Sequence, residues 1–509
     1  MTARLHQDQS QISPHLPSCN WGRVVRVLVV GIVAFMLFPG QRSNAAAQQM
    51  SLLMAETEAR YHDVVSQTKR LSAPKPANDN IWSAGTDHKG IAPELTQVDL
   101  RVALLKFARD GDADTRLNVL AAQKPRGLTA ISLTRGRVKL PELLKEARQA
   151  FPGSVGERGL NTPLIVEQGA TLVLDQGDVL TLNRESGAFL VNFGRLEISG
   201  GGIVGAGFPN AAAPAFAPFV VTAGFGVMKA HDAYFANLGF GADLAFAGLS
   251  VLVNSFYQNE VRSALTGSVL RNVGSTVFVG GTGIDILGNR FLESRRTALL
   301  LRATIAARIH GNTFLDGAAG DAIRIAPHSY GTDIHDNEIF NPRESGIALL
   351  PGSADTTIRD VSVWHPRHHG IRAEHSDCLT IEGARILGAR QEGVSLRASR
   401  GTVLSGSTII ASKRAGMLVA DLPDEAVTQI SRNRFAMNRI GVETAAPGQL
   451  DLRGNNFLDQ FPRFLAGDVQ FMTPDLLRDL TGKARIVLIG GGTTAALAAD
   501  PTCPIIQEH

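Results

Sequence analysis

Cationic side chains recur at one spacing through the second half of the chain. Arg295, Arg343, Arg367, Arg390 and Lys413 stand about one repeat apart, and Ala319 is the uncharged member of the set. The residues that follow them include Arg296, Glu344, His368 and Gln391, and then Thr297, Asp321, Ser345, His369 and Glu392. Arg324 and Arg372 lie five residues beyond Ala319 and Arg367. Like charges crowded at such a spacing repel, and a bland surface dilutes them. A row of cations at a fixed step suits a polymer whose negative charge also repeats. A polyuronate is such a polymer, with one carboxylate per sugar. Histidines beside the row are groups that can move a proton. Arg295, Arg324, Arg372, Arg390 and Lys413 are therefore candidate substrate-binding residues. The competing account is a solvated face on which these arginines pair with Asp321, Glu344 and Glu392. The net charge of +3 is too small to argue for a nucleic-acid partner.

The element that must position this row is a repeat. Asn289-Arg290-Phe291, Asn312-Thr313-Phe314, Asn337-Glu338-Ile339, Val361-Ser362-Val363, Ala384-Arg385-Ile386, Ser407-Thr408-Ile409, Asn433-Arg434-Phe435 and Asn455-Asn456-Phe457 follow one another at steps of 22 to 26 residues. A second column, Ala298, Ala322, Gly346, Gly370, Gly393, Gly416 and Gly441, holds the same register. Self-similarity at this period marks a stacked architecture. Runs such as Ala322-Ile323-Arg324-Ile325 alternate with the period of a strand, and Gly, Asn, Asp and Ser separate them. The expected fold is all-β: a right-handed parallel β-helix, with an N-terminal helical cap and a short C-terminal tail. The Asn column reads as a hydrogen-bonded ladder, not as a catalytic motif.

The rest of the chain divides around residues 161–461, the expected solenoid. Residues 1–47 read as a signal peptide: Arg23 and Arg26, an apolar run from Val27 to Phe38, and small residues at Ala45-Ala46-Ala47. An uncleaved N-terminal anchor is the alternative, and both place the remainder outside the cytoplasm, in the periplasm. That run is short for a membrane span, and no membrane span is expected after cleavage. Residues 48–90 predict a helix, Ser51 to Lys69, and a Pro/Ala linker. Residues 91–160 predict helical capping pieces, one from Leu140 to Phe151 with Pro141 in its first turn. Strand character begins at Leu164, the Ala/Pro-rich stretch 208–219 reads as an excursion over one face, and 220–283 as irregular coils. Residues 462–509 form a tail, with a short helix capped by Thr473 and a strand at Ile486–Ile489. Cys378 and Cys503 remain after cleavage and could pair. No Cys or His spacing reads as a metal site, and no cofactor is expected.

The segment Leu164-Ile165-Val166-Glu167-Gln168-Gly169-Ala170-Thr171, with Glu185-Ser186-Gly187-Ala188-Phe189-Leu190-Val191-Asn192 further on, resembles the opening coils of the periplasmic mannuronan C5-epimerases of alginate biosynthesis. Ala130-Ile131-Ser132-Leu133-Thr134-Arg135-Gly136, Gly248-Leu249-Ser250-Val251 and Thr266-Gly267-Ser268 are similar to other parts of that family. The resemblance spans roughly residues 125–460. It implies inversion of C5 of mannuronate within the polymer, giving guluronate. That reaction needs a cation to neutralise the C6 carboxylate, a base for the C5 proton, and an acid on the other face of the sugar. In the family the base is a His in an Asp-Pro-His-Asp motif. The nearest stretch here is Ala326-Pro327-His328-Ser329, which lacks both Asp residues. The site is therefore displaced or lost. If it is displaced, the base is His328, His368 or His369, and Arg343 or Arg367 is the neutraliser.

Three functions stay open on this reading. One is a polyuronate-modifying isomerase. Another is a polysaccharide lyase, which shares proton abstraction and then eliminates the 4-O linkage. The third is a non-catalytic periplasmic scaffold that guides an acidic polysaccharide through an exopolysaccharide export complex.

Overall fold

In the computed structural model, the described residues are 41–69, 91–105, 113–123, 127–157, 159–210, 215–253 and 261–490. They fall into two compact units that divide after Lys69. The first is a single helix, Gln41–Lys69, which starts earlier than Ser51 and takes in Ala45-Ala46-Ala47. The apolar run Val27–Phe38, the linker at 73–78 and Cys503 lie outside the described residues. No helix among the described residues is long and apolar enough to cross a membrane.

The second unit is a right-handed parallel β-solenoid of about 12 turns. Each coil lays one short strand on each of three parallel sheets. In one coil these strands are Ile323–Ile325, Asp333–His335 and Glu338–Phe340. The next coil stacks on it in register, Ile347 on Ile323, Thr357 on Asp333 and Ser362 on Glu338. We call these the first, second and third sheets. Alternation along each strand sends Ile323, Ile325, Ile334 and Ile339 into one continuous core and leaves Arg324 half-buried on the outside. This burial is the main stabilising term, at about 25 cal/mol per Å² of apolar surface removed from water.

Three columns hold the register. Asn289, Asn312 and Asn337 are fully buried. Asn312 Oδ1 accepts from the backbone N–H of Asn289 at 2.8 Å and from its Nδ2 at 3.0 Å, and Asn337 serves Asn312 in the same way. Asn433 and Asn455 repeat the pattern. Phe291 stacks on Phe314 with ring centroids 4.6 Å apart and planes 3° from parallel. The Gly column marks close approach: a Cβ on Gly370 would lie 2.6 Å from the carbonyl oxygen of Gly393 and 2.4 Å from Ile386 Cγ2. The corner before the Asn column is left-handed, with Gly311 at φ 64°, Asp336 at φ 55° and Gly383 at φ 65°. Gly and Asp tolerate that region best.

Strand character starts earlier than the expected Leu164. Thr129–Lys139 already runs parallel to Leu164–Leu174 along the first and second sheets. Its open edge is covered by Glu94–Asp99, paired antiparallel, which answers the need to block an exposed sheet edge. Residues 91–160 are thus a mixture of strand and helix. The helix Leu140–Ala150 has Pro141 in its first turn and buries Leu140, Leu143 and Ala147 in the main core. The described residues of 220–283 form regular coils rather than irregular ones, with strands such as Val220–Gly224, Gly248–Val253 and Ser275–Val279. In the tail Thr473 is the first helical residue rather than the cap. Ile486–Ile489 closes the other end by pairing antiparallel with Gln449–Leu452.

A second core lies on the outer face of the first sheet, over its early coils. Ile165, Val191 and Val221 point outward there, and Leu104, Val119, Phe216, Phe240 and Phe246 cover them. Phe189 and Phe219 stack beneath, with centroids 4.5 Å apart. The excursion expected at 208–219 supplies Phe216 and Phe219 to this cover. Further along the same column the outward residues change to Leu300, Arg324, Ala348, Arg372, Ser395, Leu418 and Glu443. The aromatic cover of the early coils does not extend over that later half, at whose far end Ala415, Ile440 and Ala466 form a small separate cluster.

Candidate functional site

The uncovered half of the first sheet and the corner that leads into it carry the site. That corner joins the third sheet to the first and is built from stacked loops. Arg367 donates its backbone N–H to Pro342 O at 3.0 Å, Arg390 to Pro366 O at 3.0 Å, and Lys413 to Ala389 O at 2.8 Å. The fold therefore sets Arg343, Arg367, Arg390 and Lys413 one above another, about 4.8 Å per coil. All four are exposed, and none makes an ion pair among the described residues. The guanidinium of Arg367 lies below its usual range, through partial desolvation and then repulsion from Arg343 and Arg390. A column of cations this close lowers its own repulsion when an anion arrives.

Deeper in the corner the charges are paired. Asp321 is buried. Its Oδ2 accepts from Arg324 Nε at 2.8 Å, and its Oδ1 accepts from the Ser345 backbone N–H at 2.9 Å. Arg324 also reaches Glu344 at 3.4 Å. Arg372 pairs with Glu374 at 3.2 Å, and its Nε is buried with no hydrogen-bond partner. The competing account of the arginine row thus holds for Arg324; Arg372 is also paired, though with Glu374, and the outer column is not paired among the described residues. Arg295 takes another role: its Nη2 donates to the carbonyls of Leu238 and Gly239 at 2.8 and 2.9 Å, tying an earlier loop down. Burial, and then Arg184 and Arg296, push its pKa down.

His369 and Glu392 form the innermost pair. His369 Nδ1 lies 2.8 Å from Glu392 Oε2, and the Glu392 carboxylate is 1% exposed. Arg414 Nε lies 3.0 Å from the other oxygen and 3.4 Å from Glu443. These contacts are close in distance, but neither Glu392 oxygen completes an aligned hydrogen bond. Burial alone would raise Glu392. The His369 and Arg414 partners outweigh it and hold the carboxyl below its ordinary range. The contact turns Nδ1 of His369 toward the carboxylate and leaves Nε2 for another partner. His368 is exposed beside it, with ring centroids 6.3 Å apart and planes at 75°.

His328 is not brought to this cluster. It follows the strand Ile323–Ile325, at the corner between the first and second sheets, so it stands at the opposite edge of the first sheet from Arg343 and Arg367. It is exposed in a left-handed turn at φ 64°, with its backbone N–H donating to Gly352 O at 2.7 Å. Arg414 and Glu443 are functional candidates that the sequence pattern does not single out. Both continue columns already in the pattern, Arg414 the one that holds His368 and Gln391 and Glu443 the outward one that holds Arg324 and Arg372, but only the stacking joins them to Glu392.

The right-handed beta helix region family matches residues 321–465. No curated protein sequence matches the chain. Among solved structures, the periplasmic alginate epimerase AlgG superposes with a TM-score of 0.61 at 16% identity, over 78% of this chain and 98% of that one. A double mutant of the same epimerase gives 0.63 at 17% identity, over 75% and 99%. At that identity the likeness is one of fold. It is the fold that the opening-coil resemblance implies.

Proposed function

We propose that this chain modifies an acidic polysaccharide, and that its reaction is C5-epimerisation of a uronate within the polymer. The observation that carries this reading is the unpaired column Arg343, Arg367, Arg390 and Lys413, rising one coil at a time beside a histidine seated on a buried carboxylate. The column is the binding element: successive carboxylates of a polyuronate meet successive cations. The similarity in fold to an alginate epimerase supports the same substrate class.

In the proposed reaction Arg367 or Arg343 engages the C6 carboxylate of one sugar. The C5–H bond then breaks. Its proton goes to His369 Nε2, and its electron pair delocalises into the carboxylate as an enediolate, which the guanidinium stabilises. His368, from the other face, returns a proton to C5 and inverts it. The cycle closes when His369 loses its proton to water and His368 regains one, so no other reactant is consumed. His369 must start neutral and His368 protonated, which predicts a bell-shaped pH–rate profile. Glu392 positions His369, and Arg414 and Glu443 steady Glu392. A His328 base would leave proton transfer on the opposite edge of the sheet from the cation column. The periplasm is the compartment proposed, in keeping with the signal-peptide reading.

Proton NMR in D₂O with polymannuronate and other polyuronates separates the readings. Deuterium at C5 with new guluronate-type signals, retained in His328→Ala and lost in His369→Ala, is the expected result. Unsaturated ends instead would make the chain a lyase. Binding that weakens with salt, with neither product, would make it a scaffold.

A further inference from the structure

The second sheet carries a cluster that the polysaccharide site does not use. The strands Arg308–His310 and Asp333–His335 stack in register, with Arg308 on Asp333 and His310 on His335. The two imidazoles lie face to face across one coil step, centroids 3.7 Å apart at 32°. Asp333 precedes His335 by two residues, so both side chains leave the same side of the strand. His310 Nε2 is 3.2 Å from Asp333 Oδ2. One ligand atom from each of His310, Asp333 and His335 lies within 4.8 Å of the others, and all three residues are half-buried.

We infer that His310, Asp333 and His335 form a binding site for a borderline divalent transition ion, Zn²⁺ in the first instance. Two imidazole nitrogens and one carboxylate oxygen are a ligand set for zinc or its neighbours, and a poor one for Ca²⁺ or Mg²⁺. In tetrahedral zinc the ligand atoms stand about 3.3 Å apart, so the His310–Asp333 spacing already suits it and the remaining approach is a side-chain adjustment. His335 Nδ1 lies 2.9 Å from Asp336 Oδ2, which leaves Nε2 for the ion. A carboxylate behind a ligating imidazole is the usual outer partner at zinc sites. The opposing group is Arg359, in the next coil, whose Nη2 is 3.1 Å from both oxygens of Asp333. Arg308 is committed to Asp285 at 2.6 Å. A bound ion would clip two successive coils together on a face remote from the cation column.

Co²⁺ serves as a spectroscopic stand-in. The full chain, stripped with EDTA, is titrated by calorimetry and by visible absorption. One equivalent with a d–d band is expected. His310→Gln and His335→Gln should each abolish the band with native circular dichroism, and Asp333→Asn should weaken binding at least tenfold. Arg359→Ala removes the competing cation and should tighten binding. No stoichiometric binding by the native chain, or full binding by His310→Gln, overturns the inference. If the histidine variants misfold, an unchanged affinity in Arg359→Ala overturns it as well.

Discussion

A histidine that must take a proton from carbon is useful only if its ring is held still and its outward nitrogen is free. His369 meets the condition through Glu392, which is 1% exposed. Changing His369 to Ala should lower turnover by roughly 10²–10⁴-fold, the usual worth of a positioned acid–base group. Glu392→Gln should cost less and distort the pH–rate profile, because the amide keeps the shape but not the charge. Steady-state rates over a pH series check both. A different histidine reports on stability. His365 is held below its ordinary value by burial and then by Lys413. A group whose folded pKa is depressed stabilises the fold above its unfolded value and loses that contribution as pH falls towards the folded one. Thermal stability should therefore fall as pH drops below 6.5, and His365→Gln should flatten that part of the curve in scanning calorimetry. The residue types at the site are legible in the chain: His368, His369 and the arginines all lie in columns. Which partner each finds is not. The carboxylate that anchors His369 lies a whole coil further on, and Arg324 and Arg372 spend their charge on Asp321 and Glu374.

The strands here are only three to five residues long in most coils, too short to hold register by backbone pairing alone. The columns compensate. Asn312→Ala would leave the backbone N–H and Nδ2 of Asn289 without their acceptor and Ile286 O without its donor. Each unsatisfied buried group costs about 1–3 kcal/mol, so a clear fall in midpoint is expected in a denaturant titration. Gly370→Ala tests the close-approach column. Its new methyl group would meet Gly393 O and Ile386. Overpacking of that kind costs about 1–3 kcal/mol; an unchanged midpoint would show that the coils yield more easily than their spacing suggests. These columns are legible in the amino-acid sequence, because a buried ladder fixes residue type at a fixed step. The caps are less so. Thr129–Lys139 contains Arg135, Gly136 and Arg137, which weaken its strand pattern, and only its pairing with Leu164–Leu174 reveals it as a coil.

At the scale of the whole molecule, one face of the solenoid is used twice. Its early coils point Ile165, Val191 and Val221 outward under an aromatic cover, and its later coils point Arg324, Ser395 and Glu443 outward with no such cover among the described residues. An extended polyanion would find its counter-charges only along the later half. Binding of a polyuronate should weaken steeply with added salt, because exposed charges are screened within about 8 Å at physiological ionic strength. A triple Arg343→Ala, Arg367→Ala, Arg390→Ala variant should lose most of that salt dependence, as isothermal titration across a salt series would show. The covered half explains why charge counting along the sequence finds only part of the face: apolar outward positions look like core until the layer above them is seen.

The Asn ladder gives the chain a unit of length. Each rung is served by the coil next to it and is indifferent to coils further away. Excising residues 312–336 would join Gly311 to Asn337 and let Asn289 stack on Asn337 as it now stacks on Asn312. Such a protein should fold, shorter by one step. A cut of four or five residues within the same coil should not, because it would put every column beyond it out of phase. A solenoid of this kind can lengthen or shorten in evolution by whole coils, and the reach of any polymer-binding face changes in the same quantum.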